Sequence, residues 1–250
     1  MTGTSLREVR TFRDLQALSE AAAQEIVAIA RASIAARGRF TIALSGGNTP
    51  KRTYELLAEL HRSAIDWLHC EFFFGDERFV PPDDERSNYR MAREALFDRA
   101  PISADAIHQI PTDTSTVEEA AESYERTLRR LLLVDMNEPD TIDLVLLGVG
   151  PDGHTASLFP GSSALKEVLR WTRGVDAPTA VQPAVPRVTV TLPFLDGARN
   201  VMFLVAGADK RRVLGEILSR TESALKYPAA LVAPSGRTIW MIEQSAAPAS

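Results

Sequence analysis

One histidine of the chain stands where a proton-transfer group would be useful. His154 lies at the end of a glycine-rich loop, residues 148–153, that follows a strongly apolar run. A histidine side chain exchanges protons near neutral pH, so it serves readily as a general base or acid. Asp152 is a candidate for supporting it, and Asp76 or Glu77 is the alternative. We predict that His154 activates a water molecule, and the sequence leaves the choice of carboxylate open.

A second segment has the composition of an anion-binding loop. Residues 45–50, Ser-Gly-Gly-Asn-Thr-Pro, join a β-prone run to a predicted helix. Glycines let the backbone approach a ligand, and a helix N-terminus favours negative charge. The hydroxyl groups of Ser45 and Thr49 would add donors. The alternative is a glycine-rich turn with capping residues; a Walker A loop is excluded, because no Gly-Lys-Ser/Thr follows.

Several cationic side chains are candidates for holding a phosphate group. Arg187, Lys210 and Arg211 follow or begin predicted elements, and an arginine binds phosphate well because its donors form a planar fork. Arg78 follows Asp76 and either adds charge to the site or pairs with the carboxylates beside it.

Other kinds of chemistry have weak support in this sequence. Residues 148–153 spell G-x-G-x-x-G, but Pro160 and Gly161 would interrupt the helix that a dinucleotide site requires. Four dispersed histidines and one cysteine give no zinc spacing, and no G-x-S-x-G elbow is present. We therefore predict neither a metal nor a cofactor.

The elements that must position these residues alternate between strand and helix. Strands are predicted at 40–44, 71–74, 142–147, 188–192, 201–205, 230–232 and 238–242. Helices are predicted at 15–36, 50–61, 88–97 after Ser87 as N-cap, 117–134 after Thr116, and 210–219. Such alternation predicts an α/β fold with a mostly parallel, Rossmann-like sheet and helices on both faces. Ligands of such folds bind beyond the carboxyl ends of the strands, where the polar segments described above begin.

Bulk properties bound the class of protein. The chain has 250 residues and a net charge of −5, which argues against a nucleic-acid partner but allows a small anionic ligand. The single cysteine, Cys70, shows no disulfide framework, and a buried thiol is expected. No apolar stretch is long enough to span a bilayer, and no signal peptide is visible. We predict one domain over 1–250, a cytoplasmic location and no membrane partner; the sequence does not indicate an oligomeric state.

Five blocks of the chain resemble the signature segments of the 6-phosphogluconolactonases, in the same order. They are Ser45-Gly46-Gly47-Asn48-Thr49-Pro50, Phe74-Gly75-Asp76-Glu77-Arg78 with Ser87-Asn88, residues 147–160, Pro186-Arg187-Val188-Thr189 and Gly207-Ala208-Asp209-Lys210. The resemblance implies cofactor-independent hydrolysis of 6-phosphoglucono-1,5-lactone to 6-phosphogluconate in the oxidative pentose phosphate pathway.

The resemblance also assigns roles to individual residues. Ser45, Gly46, Gly47, Arg187 and Lys210 would hold the phosphate of the phosphorylated sugar lactone, with Asn48 and Thr49 in the same loop. His154 would activate water, and Arg78 would contribute positive charge at the site.

Two alternative functions stay open at this stage. The glucosamine-6-phosphate deaminases share the fold, but they carry a glutamate where this chain has Phe159, and a phenyl ring transfers no proton. A non-catalytic sugar-phosphate sensor would keep the phosphate loop and lose the base, whereas this chain keeps Asp152 and His154.

Overall fold

The computed structural model describes residues 6–132, 142–179 and 181–248. Its strands are β1 Leu6–Phe12, β2 Phe40–Leu44, β3 Cys70–Phe74, β4 Asp76–Arg78, β5 Leu144–Leu147, β6 Thr172–Val175, β7 Arg187–Val190, β8 Asn200–Val205 and β9 Arg237–Glu243. Its helices are α1 Leu15–Arg37, α2 Asn48–Leu60, α3 Asn88–Ala92, α4 Val117–Leu132, α5 Leu192–Asp196, α6 Arg211–Ser219 and α7 Pro228–Leu231. A π-helical turn, Arg93–Phe97, continues α3.

The main sheet has six parallel strands in the order β1-β9-β8-β5-β2-β3. Strands β2 and β5 are buried throughout, as expected where helices cover both faces of a parallel sheet. The side chains of β1 show that helices lie on both faces of the sheet. Arg10 pairs with Glu25 of α1 on one face, whereas Arg7 and Ile217 of α6 line a pocket on the other. The predicted α/β fold is thereby confirmed.

A smaller antiparallel sheet, in the order β4-β7-β6, stands beside the main sheet. The predicted strand 188–192 is β7, which pairs antiparallel with β4 and β6 and ends at Val190 rather than at 192. It ends there because Pro193, which has no backbone N–H for a ladder, lies in the first turn of α5.

The predicted strand 230–232 was wrong. Residues Pro228–Leu231 form the short helix α7, whose first turn accommodates proline. The backbone N–H of Ala229 donates to the carbonyl oxygen of Gly153 at 3.1 Å. Strands β1, β4 and β6 were not predicted.

Helix ends follow local capping chemistry. The side chain of Asp14 accepts a hydrogen bond from the Ala17 N–H, and Gly38 ends α1 in the left-handed conformation. The Thr116 hydroxyl accepts from the Glu119 N–H at 3.1 Å, as the predicted capping box requires. The predicted end of this helix at Val134 lies outside the described residues.

Two bulk expectations bear on the environment of the chain. Among the described residues, no helix combines the length and the apolar character needed to cross a membrane. Cys70 is buried, and burial raises the pKa of its thiol to about 12, so the expected buried thiol is confirmed.

Candidate active site

A cleft of about 210 Å³ opens where the carboxyl ends of β2 and β5 meet the small sheet. Its lining residues come from four segments that are far apart in the sequence. They are Ser45, Gly46, Gly47, Asp76, Arg78, Asn88, Gly148, Val149, Gly150, His154, Ala156 and Arg187. The parallel sheet therefore gathers most of the predicted site residues into one place, at the edge where ligands of such folds bind.

His154, a lining residue of this cleft, forms a hydrogen-bonded pair with Asp152, which is not part of the lining. Nδ1 of His154 lies 2.5 Å from Oδ1 of Asp152, and the backbone N–H of His154 donates to the same oxygen. Burial acts to raise the pKa of Asp152, but the hydrogen bond and charge of His154 lower it by more, so the carboxylate stays ionised. An ionised carboxylate accepts a proton donor, which fixes the proton on Nδ1. Nε2 is then the basic nitrogen of a ring that lines the cleft.

Glycines of the loop make room for this pair rather than for a dinucleotide. A Cβ on Gly150 would come within 2.1 Å of the His154 ring, and Gly153 adopts a left-handed φ of +81° between the two partners. The described chain from Gly150 to Ser162 forms turns, with no helix after the glycines. This agrees with the rejection of a dinucleotide site.

The other candidate carboxylates have different partners. Oδ2 of Asp76 accepts from the Ser157 hydroxyl at 2.6 Å, and Oδ1 of Asp76 accepts from Nδ2 of Asn88 at 3.3 Å. Glu77 is buried and accepts from the backbone N–H groups of Arg78, Asn88 and Tyr89 and from the Ser87 hydroxyl. These bonds hold the cleft wall together, and Asp152 is the carboxylate that contacts His154.

The glycine-rich loop presents unpaired polar groups to the cleft. The phenol of Tyr54 holds the backbone of Ser45, accepting from its N–H at 3.0 Å and donating to its carbonyl at 2.9 Å. The Ser45 hydroxyl is buried and has no hydrogen-bond partner. Gly47 adopts a φ of +104° and opens α2 without a side-chain cap, so free N–H groups face the loop. A Cβ on Gly46 would overlap Asn88, so only glycine fits there.

Two arginines lie directly opposite each other in the small sheet. Arg78 of β4 is the register partner of Arg187 of β7, and the Nε atoms of both are buried without a hydrogen-bond partner. Burial lowers the pKa of Arg187, and the charge of Arg78 lowers it further, against an opposing effect of Asp76. Like charges facing across a sheet destabilise it. An anion between them removes this cost, so the pair fits a phosphate group.

Phe159 lies between the two halves of the site. Its ring centroid is 4.8 Å from that of His154, and the Arg187 guanidinium carbon lies 5.4 Å from the same ring. The ring therefore fixes both the base and the buried cation at distances typical of aromatic and cation–π contacts. The sequence analysis treated Phe159 only as a departure from the deaminases.

Four predicted site residues do not line the cleft, and one of them is Asp152, the partner of His154. The ammonium of Lys210 pairs with the carboxylate of Asp209 at 2.8 Å, on the turn that follows β8. Asn48 and Thr49 begin α2 beside the cleft. Asn88 and Ala156 line the cleft but were not among the predicted site residues, although Asn88 belongs to one of the blocks that carry the family resemblance.

No ligand-rich group of three or more His, Cys, Asp or Glu side chains that could hold a metal occurs within the described parts of the chain. The cleft instead offers donors: two guanidinium groups, a serine hydroxyl and free backbone amides. That donor set suits an anion and not a cation.

Fold and site together define an α/β protein with an anion-binding cleft at the carboxyl edge of a parallel sheet. Residues 13–240 match the family of glucosamine-6-phosphate isomerases/6-phosphogluconolactonase. The chain belongs to this family.

Individual relatives agree with that assignment. A 6-phosphogluconolactonase from Synechocystis sp. is 44% identical over 214 residues, 86% of each chain. The solved 6-phosphogluconolactonase from Trypanosoma brucei is 35% identical, covers 96% of this chain and 97% of that one, and has a TM-score of 0.84. A monomeric glucosamine-6-phosphate deaminase, 21% identical and matching 96% and 98% of the two chains, shares the fold with a TM-score of 0.78.

Proposed function

We propose that the protein is a 6-phosphogluconolactonase, which hydrolyses 6-phosphoglucono-1,5-lactone to 6-phosphogluconate. The observation that carries the proposal is that His154, oriented by Asp152, lines the same cleft as two facing arginines whose Nε atoms have no hydrogen-bond partner. The pair supplies a base for water, and the arginines supply a phosphate site. Relatives at 44% and 35% identity are named 6-phosphogluconolactonases, which supports the same reaction.

In the proposed mechanism the phosphate is bound first. The unpaired Ser45 hydroxyl, the amides of Gly46 and Gly47, and the guanidinium of Arg187 hold it. This remote binding energy positions the lactone carbonyl carbon beside His154. Lys210 enters this step only through movement away from Asp209, since it does not line the cleft.

The chemical step is a general-base attack by water. Nε2 of His154 takes a proton as the water oxygen bonds to the carbonyl carbon, and Asp152 stabilises the imidazolium that forms. The carbonyl oxygen becomes an oxyanion, stabilised by glycine-loop N–H groups or by Arg78. The bond from the carbonyl carbon to the ring oxygen then breaks, and His154 returns its proton to that oxygen. Asp76 acts by holding Ser157 and Asn88 in the cleft wall.

Deamination of glucosamine 6-phosphate is the competing reaction within the family. It requires a proton-transfer group to open the sugar ring, and Phe159 next to His154 supplies none. A sensor without catalysis would not need the Asp152 contact that orients His154. Both features favour the lactonase.

A lactonase assay tests the proposal directly. Freshly generated 6-phosphogluconolactone is followed with the spontaneous rate subtracted, with glucosamine 6-phosphate in parallel and EDTA as a control. We expect hydrolysis without ammonia release and without loss in EDTA. Replacement of His154 by Ala should lower kcat by about 10²–10⁴-fold with little change in binding. Ammonia release, or a fully active His154→Ala enzyme, would contradict the proposal.

The remaining expectations follow the proposed role. A single domain over 1–250, a cytoplasmic location, a small-molecule substrate without nucleic-acid or membrane partners and the absence of a cofactor all stay predictions.

A further inference from the structure

A second pocket of about 240 Å³ lies where β1 and β9 form one edge of the main sheet, and it shares no lining residue with the cleft. Arg7 is the second residue of β1 and pairs in register with Thr238, the second residue of β9. The pocket therefore lies towards the amino ends of the parallel strands, whereas the cleft lies at their carboxyl ends. No role in the proposed lactonase reaction uses it.

Two arginines face this pocket without a counter-charge. Within the described residues, Nε and Nη2 of Arg7 are buried without a hydrogen-bond partner, and neither Arg7 nor Arg220 forms an ion pair. Arg220 follows α6, and its exposed side chain lines the pocket. Burial lowers the pKa of Arg7, and the charge of Arg220 lowers it further. A half-buried cation beside a second cation, with no counter-charge, costs free energy that an anion would offset.

Apart from Thr221 and Thr238, the rest of the lining is apolar. The guanidinium carbon of Arg7 lies 5.4 Å from the centroid of the Trp240 ring, and Trp240 is itself stacked on Phe203. Ile217, Leu225 and Val232 complete the wall, and Leu225 is an exposed large apolar side chain. A free inorganic ion would contact the two arginines but would make no contact with this apolar wall. The pocket volume admits only a small molecule.

We propose that this pocket, the Arg7–Arg220 pocket, binds a small organic anion: a phosphate or carboxylate attached to a compact apolar group. The anionic group lies between the two guanidinium groups, where arginine donors match its oxygens. The apolar group lies against the Trp240 wall. The site is independent of the cleft and of the reaction proposed for it.

The probe for this proposal is phenyl phosphate, titrated into the whole protein by isothermal titration calorimetry. Inorganic phosphate and benzyl alcohol are the probes that keep only the anion or only the apolar group. We expect phenyl phosphate to bind the Arg7–Arg220 pocket at least tenfold more tightly than either, both in the parent protein and in Arg187→Gln, whose cleft has lost its buried cation. Absence of phenyl phosphate binding would overturn the proposal.

Variants locate the binding. Arg220 is exposed, so Arg220→Gln should fold normally and weaken binding at least tenfold, whereas Arg220→Lys should retain most of it. Arg7→Gln should have the same effect as Arg220→Gln. Arg126→Gln removes an equal charge from an exposed position on α4 and should bind as the unmodified protein does.

The cleft is the competing location for any phosphate. Arg187→Gln removes its buried cation and should leave phenyl phosphate binding unchanged. Binding that disappears in Arg187→Gln, or that persists unweakened in Arg220→Gln, would place the probe in the cleft and overturn the proposal.

Discussion

At the scale of single residues, the site depends on one short contact. Oδ1 of Asp152 accepts from both the ring and the backbone N–H of His154, so a two-residue spacing suffices to orient the imidazole. From the sequence, residues two apart in a loop need not touch, which is why Asp76 and Glu77 stayed alternatives. The donors around Asp76 and Glu77 come from residues 87–89 and 157, and only the tertiary fold brings these close.

We expect Asp152→Asn to lower kcat by about 10–10³-fold with little change in KM. The amide keeps the size of the side chain but loses the charge that stabilises the imidazolium and fixes the proton on Nδ1. Steady-state kinetics on the phosphorylated lactone measure the effect. Asp66→Asn is the matched control, because Asp66 contacts Nδ1 of His69 at 2.9 Å outside the cleft.

The same variant makes a prediction about pH. The pKa of Asp152 is lower in the folded protein than in the unfolded chain, so its carboxylate stabilises the fold fully above its ordinary pKa. That contribution is lost as the pH falls through the lowered value. The parent protein should therefore unfold at a higher temperature than Asp152→Asn at neutral pH, and this difference in Tm should shrink in acid. A difference that grows in acid would contradict the assignment.

Replacement of Arg187 by Lys should raise KM for 6-phosphogluconolactone by about 10–100-fold. Lysine keeps the charge but loses the planar fork and the contact with the Phe159 ring. KM for the unphosphorylated lactone should change little, and the comparison of the two substrates is the measurement. Arg129→Lys is the control, since Arg129 also lies over an aromatic ring, that of Trp171, away from the cleft.

At the scale of elements, buried tyrosines fasten the ends of two neighbouring strands. Tyr54 of α2 bonds both backbone groups of Ser45 after β2, and Tyr124 of α4 bonds both backbone groups of Phe74 at the end of β3. Each phenol thus supplies a partner for two buried polar groups at the point where the strand's own ladder stops. Burial raises the pKa of both phenols well above the ordinary value.

Tyr54→Phe and Tyr124→Phe should each lower the free energy of unfolding by about 1–3 kcal/mol, because both leave buried backbone groups unpaired. Only Tyr54→Phe also removes the hydrogen bonds that hold Ser45 in the proposed phosphate-binding loop. The KM of Tyr54→Phe should therefore rise several-fold more than that of Tyr124→Phe. Urea unfolding and kinetics test the pair together. Equal KM values in the two variants would show that Tyr54 does not position Ser45 for substrate.

The elements that the sequence predicted well are those with local signals. Helix α1 has a capping aspartate and a terminal glycine, and β2 is an apolar run between glycines, so their bounds were predicted to within a residue. Strand β1 was missed because its three charged residues, Arg7, Glu8 and Arg10, are typical of a half-exposed edge strand rather than a buried one. Helix α7 was predicted as a strand because the helical turn depends on contacts with Gly153, which no local pattern encodes.

At the scale of the whole molecule, β1 closes one edge of the main sheet. Its residues pair with β9 over seven positions, from Leu6 with Arg237 to Phe12 with Glu243. Salt bridges add to this pairing: Arg10 contacts Glu25 of α1, and Arg237 contacts both Glu8 and Glu25. The edge is therefore tied by backbone hydrogen bonds and by a charge network.

A chain that begins at residue 13 should be less stable by about 2–4 kcal/mol, because it loses the ladder with β9 and the packing of Phe12. The midpoint of urea unfolding measures the loss. The cleft lies at the carboxyl ends of β5 and β2, which β9 and β8 separate from β1, so the truncated protein should keep its KM at low temperature. An unchanged midpoint would show that β1 adds nothing to the sheet.

The pairing of β1 with β9 has a consequence during synthesis. β1 ends at Phe12, whereas its partner begins only at Arg237. At ribosomal rates of about 5–20 residues per second, roughly 10–45 s pass between the two. Throughout that interval β1 has no strand to pair with, and β8, once synthesised, has an unpaired edge until β9 emerges. The nascent chain therefore completes this sheet only after β9 has left the ribosome, and the interval before that is the one in which a chaperone would act.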